Sequence, residues 1–111
     1  MSHAKAITKY VRISPRKARL AADLIRGLPV QSAALQLAHC NLRAGRLLQK
    51  TLDSAVANAE TQHEARRENL KVAEVRVDAG PVFKRAKSKN KGGRHPIMKR
   101  TSHFVVVVSE A

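Results

Sequence analysis

Residues 79–101 form a run of 23 residues without a single acid, holding eight Lys and Arg together with Gly80, Pro81 and the pair Gly92 and Gly93. Such a run offers too little apolar surface to pack and carries too much like charge to collapse on itself. Strand-like segments bound it on both sides. Before it, Ala73, Val75 and Val77 alternate with Glu74, Arg76 and Asp78, the period of a half-buried strand. After it, residues 104–108 read Phe-Val-Val-Val-Val, a β-branched run able to cover both faces of a sheet. A disordered loop would satisfy the composition, but the flanking strands favour an antiparallel hairpin whose arms run outward, with Gly92 and Gly93 as turn residues. With about 11 residues per arm at ~3.3 Å each, the tip stands on the order of 35 Å from the sheet. Val82, Phe83, Ile97 and Met98 give apolar groups near the base. For residues 85–95 no internal core offsets a backbone ordering cost of ~1–2 kcal/mol per residue, so order there depends on a partner.

The rest of the chain reads as a small α+β domain. Residues 5–13 place Ile7, Val11 and Ile13 on alternate positions, with Lys9 interrupting, as a first strand. Ser14 and Pro15 then cap and open a helix whose apolar face is Ala18, Ala21, Leu24 and Ile25, with Gly27 as its stop. Pro29 opens a shorter second helix with Val30, Ala34, Leu37 and Ala38 in register. A third and longest helix over about residues 42–62 aligns Leu48, Leu52, Ala55, Val56 and Ala59 in one stripe. At 111 residues the chain has room for one domain and one modest core.

Charge sorts along the same division. The formal net charge is +14, from 22 Lys and Arg against 8 Asp and Glu. Residues 1–22 carry six basic groups and no acid, residues 23–78 eight basic groups against seven acids, and residues 79–111 eight basic groups against Glu110 alone. The excess sits on the two ends around a balanced scaffold, the pattern of a protein whose working environment supplies a polyanion. Arg forks and Lys point charges are mixed in the arm, which suits phosphate. With three aromatics and no Trp, the platforms that read bases by stacking are not expected, and backbone and shape contacts are.

Other classes find little support in the residues. The longest strongly apolar run is five residues, and the N-terminal segment has no apolar signal region, so a chain retained where it is made and without a membrane span is expected. Cys40 has no second Cys, and the five His are scattered without metal-ligand spacing, so no metal site or cofactor is expected. No Ser lies in a nucleophile elbow, residues 91–94 lack phosphate-loop spacing, and Glu60 with Glu64 reads as an exposed helix end. No residue is read as catalytic. DNA is the rival polyanion. The second helix, lacking Lys and Arg, makes a poor recognition helix, yet a basic arm with Pro96 near its tip leaves a DNA-bending architectural protein open.

Five runs, in order along nearly the whole chain, carry a family resemblance: Ser14-Pro15-Arg16-Lys17-Ala18-Arg19-Leu20, Ala22-Asp23-Leu24-Ile25-Arg26-Gly27, Ser54-Ala55-Val56-Ala57-Asn58-Ala59-Glu60, Val77-Asp78-Ala79-Gly80-Pro81 and Lys99-Arg100-Thr101-Ser102-His103. They resemble the bacterial-type large-subunit ribosomal protein twenty-two family. The resemblance implies a single α+β domain over residues 1–111, three helices on a three-stranded antiparallel sheet, with a long β-hairpin arm over residues 82–97. It implies a non-catalytic protein that binds large-subunit ribosomal RNA, aids its assembly and lines the nascent-peptide exit tunnel with its hairpin. The RNA contacts it implies are Ser14, Arg16, Lys17 and Arg19 at the first helix, Lys84, Arg85, Lys87, Lys89, Lys91 and Arg94 on the arm, and Lys99, Arg100, Ser102 and His103 on the returning strand. Lys87, Ser88, Lys89, Asn90, Lys91, Gly92, Gly93 and Arg94 would lie nearest the tunnel lumen, and residues 83–85 fall in the region near which macrolides act. The implied partners are large-subunit ribosomal RNA, neighbouring ribosomal proteins and the nascent chain, with no homo-oligomer. The implied location is the ribosome in the cytoplasm of a bacterium or in an organelle of bacterial descent.

Overall fold

The structure is a computed structural model that describes residues 3–88 and 94–110, and for residues 85–88 and 94–97 the backbone alone. The elements follow as β1 (His3–Val11), α1 (Pro15–Ile25), α2 (Val30–Ala38), α3 (Arg43–His63), a 3₁₀ turn (Arg67–Asn69), β2 (Leu70–Ser88) and β3 (Arg94–Glu110). The strands form an antiparallel sheet in the order β1-β3-β2, so β3 is hydrogen-bonded on both sides. Three helices on a three-stranded antiparallel sheet make an α+β fold.

The helix starts obey local chemistry. Ser14 Oγ accepts the Lys17 N–H at 3.4 Å and Pro15 takes the first helical position, where its missing N–H is not needed. Gly27, at φ +80°, turns the chain out of α1. The α3 stripe of Leu48, Leu52, Ala55, Val56 and Ala59 is buried throughout. On α1 the buried face is Ala18, Ala21, Ala22 and Ile25, and Leu24, expected inside, is 44% exposed. On α2 it is Val30, Ala33 and Leu37, with Ala38 exposed. In both helices a small alanine lies against the neighbouring element, where a larger side chain would hold the backbones apart.

The same substitution of small for large explains β1. Its inward residues are Ala4 and Ala6, and Ile7 faces outward, opposite to the expected alternation. Alanines let α3 sit close to β1, where Thr8 and Thr51 hydroxyls meet at 2.8 Å and Asn58 Nδ2 donates to the Lys5 carbonyl at 3.0 Å. On β3, Phe104, Val106 and Val108 pair with the inward residues of β1 and β2, while Val105 is buried on the opposite face. Truncating a buried residue such as Phe104 to Ala would cost about 3–5 kcal/mol.

Three bulges interrupt the register. Ala73 is the extra residue between Val72↔Val108 and Glu74↔Val107, which puts it outside and moves the inward set to Val72, Val75 and Val77. The other two lie opposite one short piece of β3. Lys9 and Tyr10 together oppose His103, and Gly80 and Pro81 together oppose Thr101. Side chains of β3 occupy the backbone groups that the bulges release: Thr101 Oγ1 donates to the Pro81 carbonyl at 2.7 Å, and His103 Nδ1 accepts the Tyr10 N–H at 3.1 Å. Pro81, which has no N–H for a ladder, is accommodated because it sits in the bulge.

Beyond this double bulge β2 and β3 run on as a two-stranded ladder, from Val82↔Arg100 to Ser88↔Arg94. The molecule measures 62 × 25 × 16 Å along its principal axes. Gly80 is fixed in identity by packing, since a Cβ there would lie 2.5 Å from Thr101 Oγ1 and 3.1 Å from His103 Cε1. Gly80→Ala is therefore expected to lower stability by about 1–3 kcal/mol, read as a lower urea midpoint with unchanged far-ultraviolet circular dichroism.

Candidate nucleic-acid interface

The two charged ends, separated by some 90 positions in sequence, meet at the base of the ladder. Val11 pairs with Ser102, and Ser102 Oγ donates to the Ile13 carbonyl at 2.7 Å. These contacts set the start of α1, with Arg16 and Lys17 exposed, beside the β3 segment that carries Lys99 and Arg100, also exposed. The ion pairs among the described residues are Arg26–Asp23, Arg76–Glu74 and Arg76–Asp78. None of those pairs uses a cation of residues 1–22, or Lys99, or Arg100. Among the described residues, Arg16, Lys17, Lys99 and Arg100 are therefore in none of the ion pairs.

Helix polarity points the same way. The first turn of α1 holds Arg16 and Lys17 and no acid, and that of α3 holds Arg43 and Arg46 and no acid. Cations at a helix N-terminus oppose the helix dipole, whereas an anion there is favoured. A bound phosphate would satisfy the released N–H groups and the side-chain cations together.

Each residue implied as an RNA contact can now be placed. Ser14 spends its hydroxyl on the α1 cap, while Arg16 and Lys17 are open to solvent. Arg19 is exposed but donates through Nε and Nη2 to the Val77 carbonyl at 3.2 and 3.1 Å, joining α1 to β2. Ser102, at 0% exposure, donates its hydroxyl to the Ile13 carbonyl and so holds the two basic segments together. His103 is half-buried against Tyr10, the ring centroids 5.1 Å apart. Lys84 lies exposed on the same ladder face as Met98, and Arg100 Nη2 reaches Met98 Sδ at 3.7 Å. Arg85, Lys87, Ser88 and Arg94 are placed on the ladder by their backbones. Lys89, Asn90, Lys91, Gly92 and Gly93, with the turn assigned to the two glycines, lie outside the described residues.

The fold adds groups that the sequence division hid. Arg43 Nη1 donates to the Arg12 carbonyl at 3.1 Å, bringing the start of α3 to the N-terminal basic segment. Arg43, Arg46 and Lys50 share one helical face ahead of Asp53, the first acid of α3. Averaging over residues 23–78 cancelled this local excess. Tyr10 lies in the same N-terminal basic segment, an aromatic between Lys9 and Arg12.

No helix among the described residues is long and apolar enough to cross a membrane, and no group of three or more His, Cys, Asp or Glu among them could hold a metal. The class defined by this arrangement is a small basic α+β module with a polyanion-facing surface at the root of a long two-stranded ladder. A model of the family described as Ribosomal protein L22p/L17e matches residues 6–109, and the chain belongs to that family. It is 77% identical over 109 residues to the large ribosomal subunit protein uL22 of Protochlamydia amoebophila (strain UWE25), covering 98% of each chain. It is 62% identical over 106 residues to the protein of that name from Chlamydia pneumoniae, covering 96% of each.

The two kinds of basic residue on α1 separate experimentally. Arg19→Ala is expected to lower stability by about 1–2 kcal/mol in urea unfolding through loss of the Val77 contact. Lys17→Ala, exposed with only its backbone N–H engaged, is expected to stay within about 0.5 kcal/mol of the parent.

Proposed function

We propose that this protein is a structural constituent of the large ribosomal subunit that binds large-subunit ribosomal RNA, aids its assembly and lines the nascent-peptide exit tunnel with its hairpin. It carries out no reaction of its own; it acts by neutralising phosphate charge and clamping folded RNA by shape. The observation that carries this reading is the union of two acid-poor ends at one surface, where Arg16, Lys17, Lys99 and Arg100 are in none of the ion pairs among the described residues, in a chain of this family. Arg16, Lys17, Lys99 and Arg100 hold RNA at the root of the ladder, joined by Arg43 and Arg46. Lys84, Arg85, Lys87, Lys89, Lys91 and Arg94 extend the contact along the arm, residues 82–97, and Lys87 to Arg94 approach the tunnel lumen and the nascent chain. Neighbouring ribosomal proteins complete the setting, one copy per site, on the ribosome in the cytoplasm. The DNA-bending alternative has no support in the relatives, whose names place them in the large ribosomal subunit.

Sedimentation of a gently lysed culture is expected to find the protein with large subunits at low salt and to lose it at high salt; association with chromatin would overturn the assignment. With about six phosphates engaged, log K for RNA should fall against log salt with a slope of roughly −4 to −5. Removing residues 85–95 is expected to leave a folded domain that binds RNA with a shallower slope, measured by filter binding across a salt series.

A further inference from the structure

Tyr10 is placed in a way that packing does not require. Its side chain is 60% exposed and lies outside the core, yet its backbone sits at φ 59°, a region that bulky residues rarely occupy. That conformation is strained for a tyrosine, and such strain gathers at binding sites. Glycine or asparagine at this bulge would be relaxed, and neither would present a ring.

The ring is also held in place. The Tyr10 N–H donates to His103 Nδ1 at 3.1 Å, which fixes the imidazole and leaves its proton on Nε2. The two rings meet edge to face, with centroids 5.1 Å apart and planes at 90°, a contact that holds the 60% exposed Tyr10 ring in one orientation. Gly80 makes room for the imidazole, since a Cβ there would be 3.1 Å from Cε1 and 3.3 Å from Nε2. Lys9 and Arg12 flank Tyr10 along the chain. The nearest carboxylate across the ladder, Asp78, is bound to Arg76 at 3.0 Å.

We infer that Tyr10 and His103 form a stacking site for one unpaired nucleobase of RNA, with the flanking cations holding the adjoining phosphates. The inference rests on the RNA-binding reading above and adds a base contact to a surface otherwise read as binding backbone. Base-aromatic stacking requires an exposed ring of fixed orientation beside positive charge, and this site supplies each of these.

Because Tyr10 is the single tyrosine and the chain has no tryptophan, intrinsic fluorescence reports on this ring alone. The full-length protein is titrated with a short single-stranded oligoadenylate and with an abasic ribose-phosphate oligomer of the same length. The oligoadenylate is expected to quench the emission and to bind roughly tenfold more tightly than the abasic oligomer. Tyr10→Phe should retain that preference, followed by competition against a labelled strand. Tyr10→Gly, which suits the backbone and keeps the N–H to His103, should lose it. Equal affinity for the two oligomers, emission unchanged at saturation, or a preference that survives in Tyr10→Gly would overturn the inference while leaving the RNA-binding reading intact. Failure of both oligomers to bind would overturn the two together.

Discussion

The middle position of β3 is the constraint on which everything else in this molecule depends. It pairs with β1 and β2 along almost its whole length within the domain, and its residues 104–108 contribute buried apolar groups to both faces. A strand that is paired on both sides and covered on both faces has no freedom of register, because a slip of one residue would exchange its faces. The polar residues just before this run therefore occupy fixed places. Thr101, Ser102 and His103 each reach out to a different neighbour: the β2 bulge, the α1 entry and the β1 bulge. Three consecutive side chains thus lock the sheet, the first helix and the root of the ladder to one another.

Electrostatics gives the opposite picture from packing. The interior is apolar and its buried side-chain polar atoms all have partners among the described residues, so the fold is satisfied from within. The surface at the ladder root is basic: basic residues at two helix starts, no acid in either first turn, and on the returning strand Lys99 and Arg100, which are in no ion pair among the described residues. A scaffold that completes its own hydrogen bonds and leaves its charge uncompensated separates folding from binding. The apolar groups decide the shape, and the surplus cations wait for an external anion.

Sequence periodicity was most informative where one large apolar stripe met one partner. The α3 stripe and the β-branched run of β3 were read from the residues, and the Ser14–Pro15 start of α1 followed from capping chemistry. Reading failed where backbones approach closely. Ala4, Ala6 and Ala22 carry the contacts that Ile7 and Leu24 were expected to make, because close approach selects small side chains and frees larger ones for the surface. Bulges were likewise invisible, and the one at Ala73 reversed that residue's facing. At the interface, the clustering of cations at both ends was legible, but the internal roles of Ser102 and Arg19 depend on contacts across 89 and 58 positions. No local pattern announces such partners.

Arg19 of α1 and Arg26 just past its end have an effect at the outer edge of β2 that concerns the protein before it meets any RNA. The carbonyls of Val75 and Val77 accept from Arg26 and Arg19, and the Val72 N–H is taken by the Leu28 carbonyl. An open edge of a long strand is a template on which a second copy can add its own strand. Here the domain portion of that edge is already occupied by guanidinium groups, which add charge repulsion to the loss of acceptors. Along this stretch of β2 an incoming strand would find those acceptors taken and two positive charges in its path.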